Sequence, residues 1–148
     1  MRPLLLDDRL LLDHLLDGGS TRLRTLCRRR TVATTGLWYY RLCHAIRSDV
    51  IVGALSGPFL TAPNDVRSRA IAALVRLPDN VDLVSFRDLA PKMAELVQRH
   101  RLNALSLEAL AAALSLGADL AMAAGSENPS LFEAARSERL QVHIVAAG

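Results

Sequence analysis

No apolar run in this 148-residue chain comes near the roughly 18 to 20 uninterrupted residues that a bilayer-spanning helix needs. The N-terminal leucines are broken by Asp7 and Asp8 before a signal-peptide core can form. Export and membrane insertion are therefore not expected, and the chain reads as soluble and cytoplasmic, with no membrane partner. Cysteine is scarce. Cys27 and Cys43 stand sixteen positions apart, without the close pairing of a zinc knuckle or a redox motif, so each reads as a buried or idle thiol. The histidines, His14, His44, His100 and His143, are scattered over different segments and outline no metal quartet. Aromatics number six, and three of them cluster at Trp38, Tyr39 and Tyr40. No internal repeat and no long linker divides the chain.

What is present is apolar bulk. At 51 % apolar residues the chain can fill a sizeable core, which predicts one domain over residues 1–148. The net charge of +3 permits a polyanionic partner without requiring one. Pro3-Leu4-Leu5-Leu6 reads as a short strand ending at the Asp7-Asp8 pair. Leu11, Leu12, Leu15 and Leu16 then follow at helical spacing, and Gly18-Gly19-Ser20 stops the helix. A basic stretch holds Arg22, Arg24, Arg28, Arg29 and Arg30, and a helix carrying the aromatics is expected from about Thr35 to Arg47.

Val50 to Leu55 prolongs that helix or begins another, and Ser56 to Pro63 reads as a loop. A helix is expected from Asn64 to just before Pro78, followed by a strand over Val81 to Phe86. Next come a helix from Asp88 to about His100, with Pro91 in its first turn, and an alanine- and leucine-rich helix from about Ser106 to Gly117. A strand over Asp119 to Ala124, a helix over Leu131 to Arg139 and a strand over Leu140 to Val145 complete the order. Alternating elements with short apolar strands predict an α/β fold in three layers, with a mostly parallel sheet of four to five strands covered by helices on both faces.

The strand-Asp-helix opening, the helix around Leu105 to Leu116 and the following Gly117-Ala118-Asp119-Leu120-Ala121-Met122-Ala123-Ala124 strand together resemble a PIN domain, and the resemblance runs over nearly the whole chain. It implies a PIN-like fold and descent from metal-dependent RNA nucleases, many of which are bacterial toxins paired with antitoxins. Such nucleases collect three or four carboxylates at the carboxyl ends of the strands. Hard Mg²⁺ or Mn²⁺ ions take oxygen ligands, activate water and hold the scissile phosphate.

Carried over residue by residue, the first acid falls on Asp7, with Asp8 beside it. The second falls on Tyr40 or Arg41, where the carboxylate is missing, and an Arg41 guanidinium paired with Asp7 would stand where a cation should. The third falls on Ser106 or Glu108. The fourth falls on Gly125, with Glu127 as a substitute. Asp7 and Glu108 are thus the catalytic candidates, and Asp7, Asp8, Glu108 and Glu127 the ligands for Mg or Mn, which so thin a set would hold weakly or not at all. The bland alternative makes Asp7, Asp8 and Glu108 helix-terminal carboxylates that accept backbone N–H bonds.

Arg28, Arg29, Arg30 and Arg41 are the candidates for contacting nucleic acid, against a plain solvated face. Trp38, Tyr39 and Tyr40 either stack on bases or supply core and subunit contacts. The resemblance also implies a homodimer. The functional expectation is a degenerate PIN-like protein binding single-stranded RNA or a protein partner such as an antitoxin, its nuclease activity weak or lost. The alternatives are an active Mg- or Mn-dependent ribonuclease with a rearranged acidic site, and a non-catalytic scaffold.

Overall fold

The computed structural model describes residues 1–47, 71–72, 76–126 and 128–148. The elements run β1 (Leu4–Leu6), α1 (Asp8–Leu15), α2 (Thr21–Cys27), β2 (Val32–Thr35), α3 (Gly36–Arg47), β3 (Val81–Val84), α4 (Phe86–Leu96), α5 (Ala104–Leu116), β4 (Asp119–Ala123), α6 (Pro129–Ser137) and β5 (Val142–Val145). The five strands form one sheet in the order β3-β2-β1-β4-β5, every neighbouring pair parallel. The α/β, three-layer expectation holds, and the sheet is parallel throughout. Among the described residues no helix is long and apolar enough to cross a membrane.

Successive strand residues point to opposite faces, and both faces are covered. Leu5, Ala33, Leu120 and Met122 pack on one side with α4, α5 and α6. Leu4, Leu6, Val32 and Ala121 pack on the other with leucines of α1, α2 and α3. That is why Leu4-Leu5-Leu6 is an unbroken apolar run instead of an alternating one. Helix α5 is buried without interruption from Ser106 to Ala113, as a helix apolar all round must be. It ends at Gly117, whose φ of 62° closes the helix in the left-handed conformation that glycine takes at low cost.

Several expected boundaries move. Helix α5 starts earlier than Ser106, with Asn103 accepting from the Ser106 N–H as its cap. Helix α4 spans Phe86–Leu96 instead of Asp88 to His100, so Pro91 lies in its second turn and not its first. Strand β3 accordingly stops at Val84. Helix α2 and strand β2 are additional to the expected elements. The expected segments Val50 to Leu55 and Ser56 to Pro63, and all but residues 71–72 and 76–77 of the helix from Asn64, lie outside the described residues.

At the amino edge of the sheet, Asp119 opens β4 and gathers nitrogen partners from three segments. Arg30 Nη1 donates to its Oδ2 at 2.9 Å, His143 Nε2 lies 3.1 Å from the same oxygen, and Arg2 Nε lies 3.3 Å from Oδ1. Burial works to raise the Asp119 pKa, but the hydrogen bonds from Arg30 and His143 outweigh it and hold the carboxyl below its ordinary 3.8. A depressed folded pKa contributes stability above pH 3.8 that is lost as pH falls through the folded value. Asp119→Asn is therefore expected to cost about 1–2 kcal/mol at neutral pH, a figure discounted for the part-exposed arginines. Chemical denaturation at neutral and strongly acidic pH checks this, since the difference should vanish at the acidic end.

Candidate functional site

In an open parallel sheet the crevice for ligands lies at the carboxyl ends of the strands, where the strand order reverses direction. Here that point lies between β1 and β4. Asp7 follows β1 directly, Thr34 and Thr35 end β2, and helices α1, α3 and α6 begin on this edge.

Asp7 is 4 % exposed, and both of its carboxylate oxygens are engaged. Oδ1 accepts from the Leu10 N–H at 2.8 Å, which makes Asp7 the N-cap of α1. Oδ2 accepts from the Ala123 N–H at 2.8 Å and so fastens the end of β1 to the end of β4. Burial pushes the carboxyl up to about 6, against the lowering effect of the Leu10 and Ala123 bonds. Asp8 stands in the first turn of α1, with Oδ1 on the Arg9 N–H at 2.9 Å and Oδ2 3.2 Å from Arg41 Nε. Its pKa is also raised, by burial, with Arg41 opposing the rise. The guanidinium expected beside Asp7 thus reaches Asp8 instead, because the Asp7 oxygens turn inward to the backbone while Asp8 faces α3.

Glu108 is 1 % exposed and lies five residues into α5, past that helix's own first turn. It serves a different helix. Oε1 accepts from the Leu37 N–H at 2.8 Å, at the start of α3. Thr35 Oγ1 accepts from the Trp38 N–H at 3.2 Å, so the first turn of α3 has both a local cap and a distant one. Gly36 lies against this carboxylate, and a Cβ there would stand 3.4 Å from Glu108 Oε2, at van der Waals contact. Ser106, the other candidate for the third acidic position, is equally committed, its Oγ accepting from Asn128 Nδ2 at 2.8 Å. Asn128 in turn caps α6 through the Leu131 N–H. Asn128 followed by Pro129 at the first helical position is a local signal that could have located this cap from sequence. Thr34, whose Oγ1 donates to the Leu6 carbonyl, carries no comparable signal.

The acids of this edge therefore face helix N-termini, whose partial positive charge and free N–H groups take the role of counter-ion. Among the described residues no three of His, Cys, Asp and Glu come together as a cation site requires. Glu127 lies outside the described residues, and Gly125 turns with φ of 84° just beyond β4.

The arginine candidates divide between the two edges of the sheet. Arg28 and Arg29 are exposed after α2, before β2 begins at the amino edge, and Arg30 beside them is bound to Asp119. Arg41 belongs to the carboxyl edge with Asp8. The aromatic cluster divides as well: Trp38 is in the core, Tyr39 is half-buried, and Tyr40 is 63 % exposed and stacked on His44. Compared with known proteins, the chain matches no protein-family model and none of the curated proteins.

Proposed function

We propose that the chain is a PIN-like domain whose hydrolytic site has lapsed, and that it binds single-stranded RNA without cutting it efficiently. One observation carries the reading: Asp7 and Glu108 accept from the backbone N–H groups that start α1 and α3, and Asp8 is paired with Arg41. Carboxylates arranged in this way fit a divalent ion poorly. Mg²⁺ or Mn²⁺ needs several anionic oxygens turned toward one point, and a guanidinium in that space repels it. The all-parallel 3-2-1-4-5 strand order, with the acids at its carboxyl edge, supports the PIN-like part.

RNA binding is supported by the exposed Arg22, Arg24, Arg28 and Arg29. Cationic side chains on such a surface release condensed counter-ions when they meet a phosphate backbone. Filter binding of mixed-sequence single-stranded RNA should give an affinity that falls steeply with salt. Arg28→Gln/Arg29→Gln should weaken it and reduce the log–log slope by about 0.7 per charge removed. Indifference to RNA at every salt concentration would contradict the proposal and favour a scaffold or homodimer, for which exposed Tyr40, Leu83 and Phe86 offer apolar area.

A second reading, the active ribonuclease, draws on Asp7 itself, because a carboxyl pushed up to about 6 by burial at the strand-order reversal is characteristic of a working site. Robust Mn²⁺-dependent RNA cleavage, abolished by Asp7→Asn, is its expected result and would overturn the lapsed-site reading.

A further inference from the structure

From Gly18 to Ser48 the chain holds seven arginines and no carboxylate, so an arginine in this stretch can find an acidic partner only from another element. Arg30 and Arg41 do so, on Asp119 and Asp8. Arg24 and Arg28 do not: among the described residues no carboxylate pairs with either. They stand one helical turn apart, which brings two guanidinium groups to the same side of α2 and its C-terminal cap.

That side is concave. A cavity of about 350 Å³ opens there, with His14 and Asp17 on one wall, Arg24 and Arg28 on another, and Leu23 and Cys27 among its apolar lining. Its size is at the lower end of the roughly 300–1,000 Å³ typical of small-molecule clefts and exceeds what a lone phosphate occupies. Asp17 and His14 also line a second cavity, of about 170 Å³, beside Asn80. The cleft thus has room beyond the arginines.

We infer that this cleft binds a nucleoside 5′-phosphate, free or as the phosphorylated end of an RNA strand, with Arg24 and Arg28 on the phosphate and Leu23 and Cys27 beneath the nucleoside. Paired guanidinium groups recognise phosphate oxygens through charge-assisted, bidentate bonds. Asp17, the one acid in the lining, discriminates against a bare anion and accepts hydrogen bonds from ribose hydroxyls. His14 is held below its ordinary 6.5 by burial, despite the opposing effect of Asp17, so at neutral pH it offers a flat face and one N–H without adding charge. The site lies at the amino edge of the sheet, away from Asp7 and Glu108. It goes beyond the RNA reading, because a free nucleotide would satisfy it.

Calorimetric titration with adenosine 5′-monophosphate tests the inference, with adenosine, inorganic phosphate and Arg87→Gln as controls. Saturable binding is expected, weakened about tenfold or more in Arg24→Gln/Arg28→Gln and nearly unchanged in Arg87→Gln, an exposed arginine of α4 that does not line the cleft. Adenosine and phosphate alone should each bind about tenfold more weakly than the nucleotide. Absence of saturable binding, or binding undiminished in the double variant, would overturn it. Both arginines are exposed, so the variants should fold, which their unfolding midpoints check. A parallel arm compares 5′-phosphorylated with 5′-hydroxyl RNA. A preference for the phosphorylated strand that disappears in the double variant assigns the phosphate to RNA; nucleotide binding without that preference assigns it to a free nucleotide. RNA binding with no nucleotide binding sinks the cleft and leaves the RNA reading standing.

Discussion

Glu108→Ala is expected to lower stability by about 2–3 kcal/mol, through an orphaned buried N–H and a cavity, and the thermal midpoint by roughly 5–10 °C. The Leu37 N–H at the start of α3 would lose its acceptor in the interior, where water cannot replace it easily. Glu108→Gln keeps an acceptor oxygen of similar reach and should cost about 1 kcal/mol. The direction of the first change is informative. Carboxylates assembled for a cation repel one another when it is absent, so removing one from a cation site relieves strain and stabilises the metal-free protein. Here the carboxylate serves a helix terminus, so its removal should destabilise. Thermal unfolding of the two variants in a chelator-containing buffer makes the comparison.

Asp7→Asn should remove a pH dependence of about 3 kcal/mol, the equivalent of raising a carboxyl from 3.8 to about 6. A raised folded pKa means that between those values the native state keeps a proton that the unfolded chain releases. Asp7 therefore makes stability fall as pH rises from about 4 to about 6, and its contribution is flat above that. Asp8 and Asp13, also raised by burial, slope the same way, whereas the lowered Asp119 and Glu138 act at more acidic pH with the opposite slope. The difference between variant and wild type isolates Asp7. Asparagine keeps the cap on Leu10 but turns an amide toward the Ala123 N–H, leaving a donor unpaired at a cost of about 1–3 kcal/mol. The variant should thus be clearly less stable near pH 4 and close to wild type above pH 6. Urea denaturation across that range measures both ends, and parallel curves would contradict the account.

The central strands buried on both faces were legible because they are apolar almost throughout: Leu4 to Leu6, and Asp119 to Ala123 apart from its first residue. Strand β2 was not: Val32, Thr34 and Thr35 are β-branched, but with polar threonines filling half of its four residues the segment shows neither a continuous apolar run nor an alternating one. Helix α2 is a single seven-residue amphiphile with Leu23 as its buried residue, too short to impose a period.

At the site, Asp7 could be read as a cap because a cap is local, three residues from its donor. Its second partner, Ala123, and the partner of Glu108, Leu37, are 116 and 71 residues away, and tertiary packing alone brings them near. The same packing sends Arg41 to Asp8 and not to Asp7, and binds Arg30 to Asp119 while Arg28 and Arg29 remain exposed. Sequence identified which residues carry charge on the carboxyl edge. What each charge faces depends on which helix begins opposite it, and that is a property of the fold.

The carboxylates of this edge are engaged by helix N-termini and by Arg41, an arrangement that on the proposed reading offers a divalent ion no grip. Thermal unfolding with and without millimolar Mn²⁺ tests it directly. A site whose dissociation constant lies about a hundredfold below the ion concentration would add about 2.7 kcal/mol to stability. A midpoint that does not move with Mn²⁺ is expected. A rise of several degrees that is lost in Asp7→Asn would contradict it.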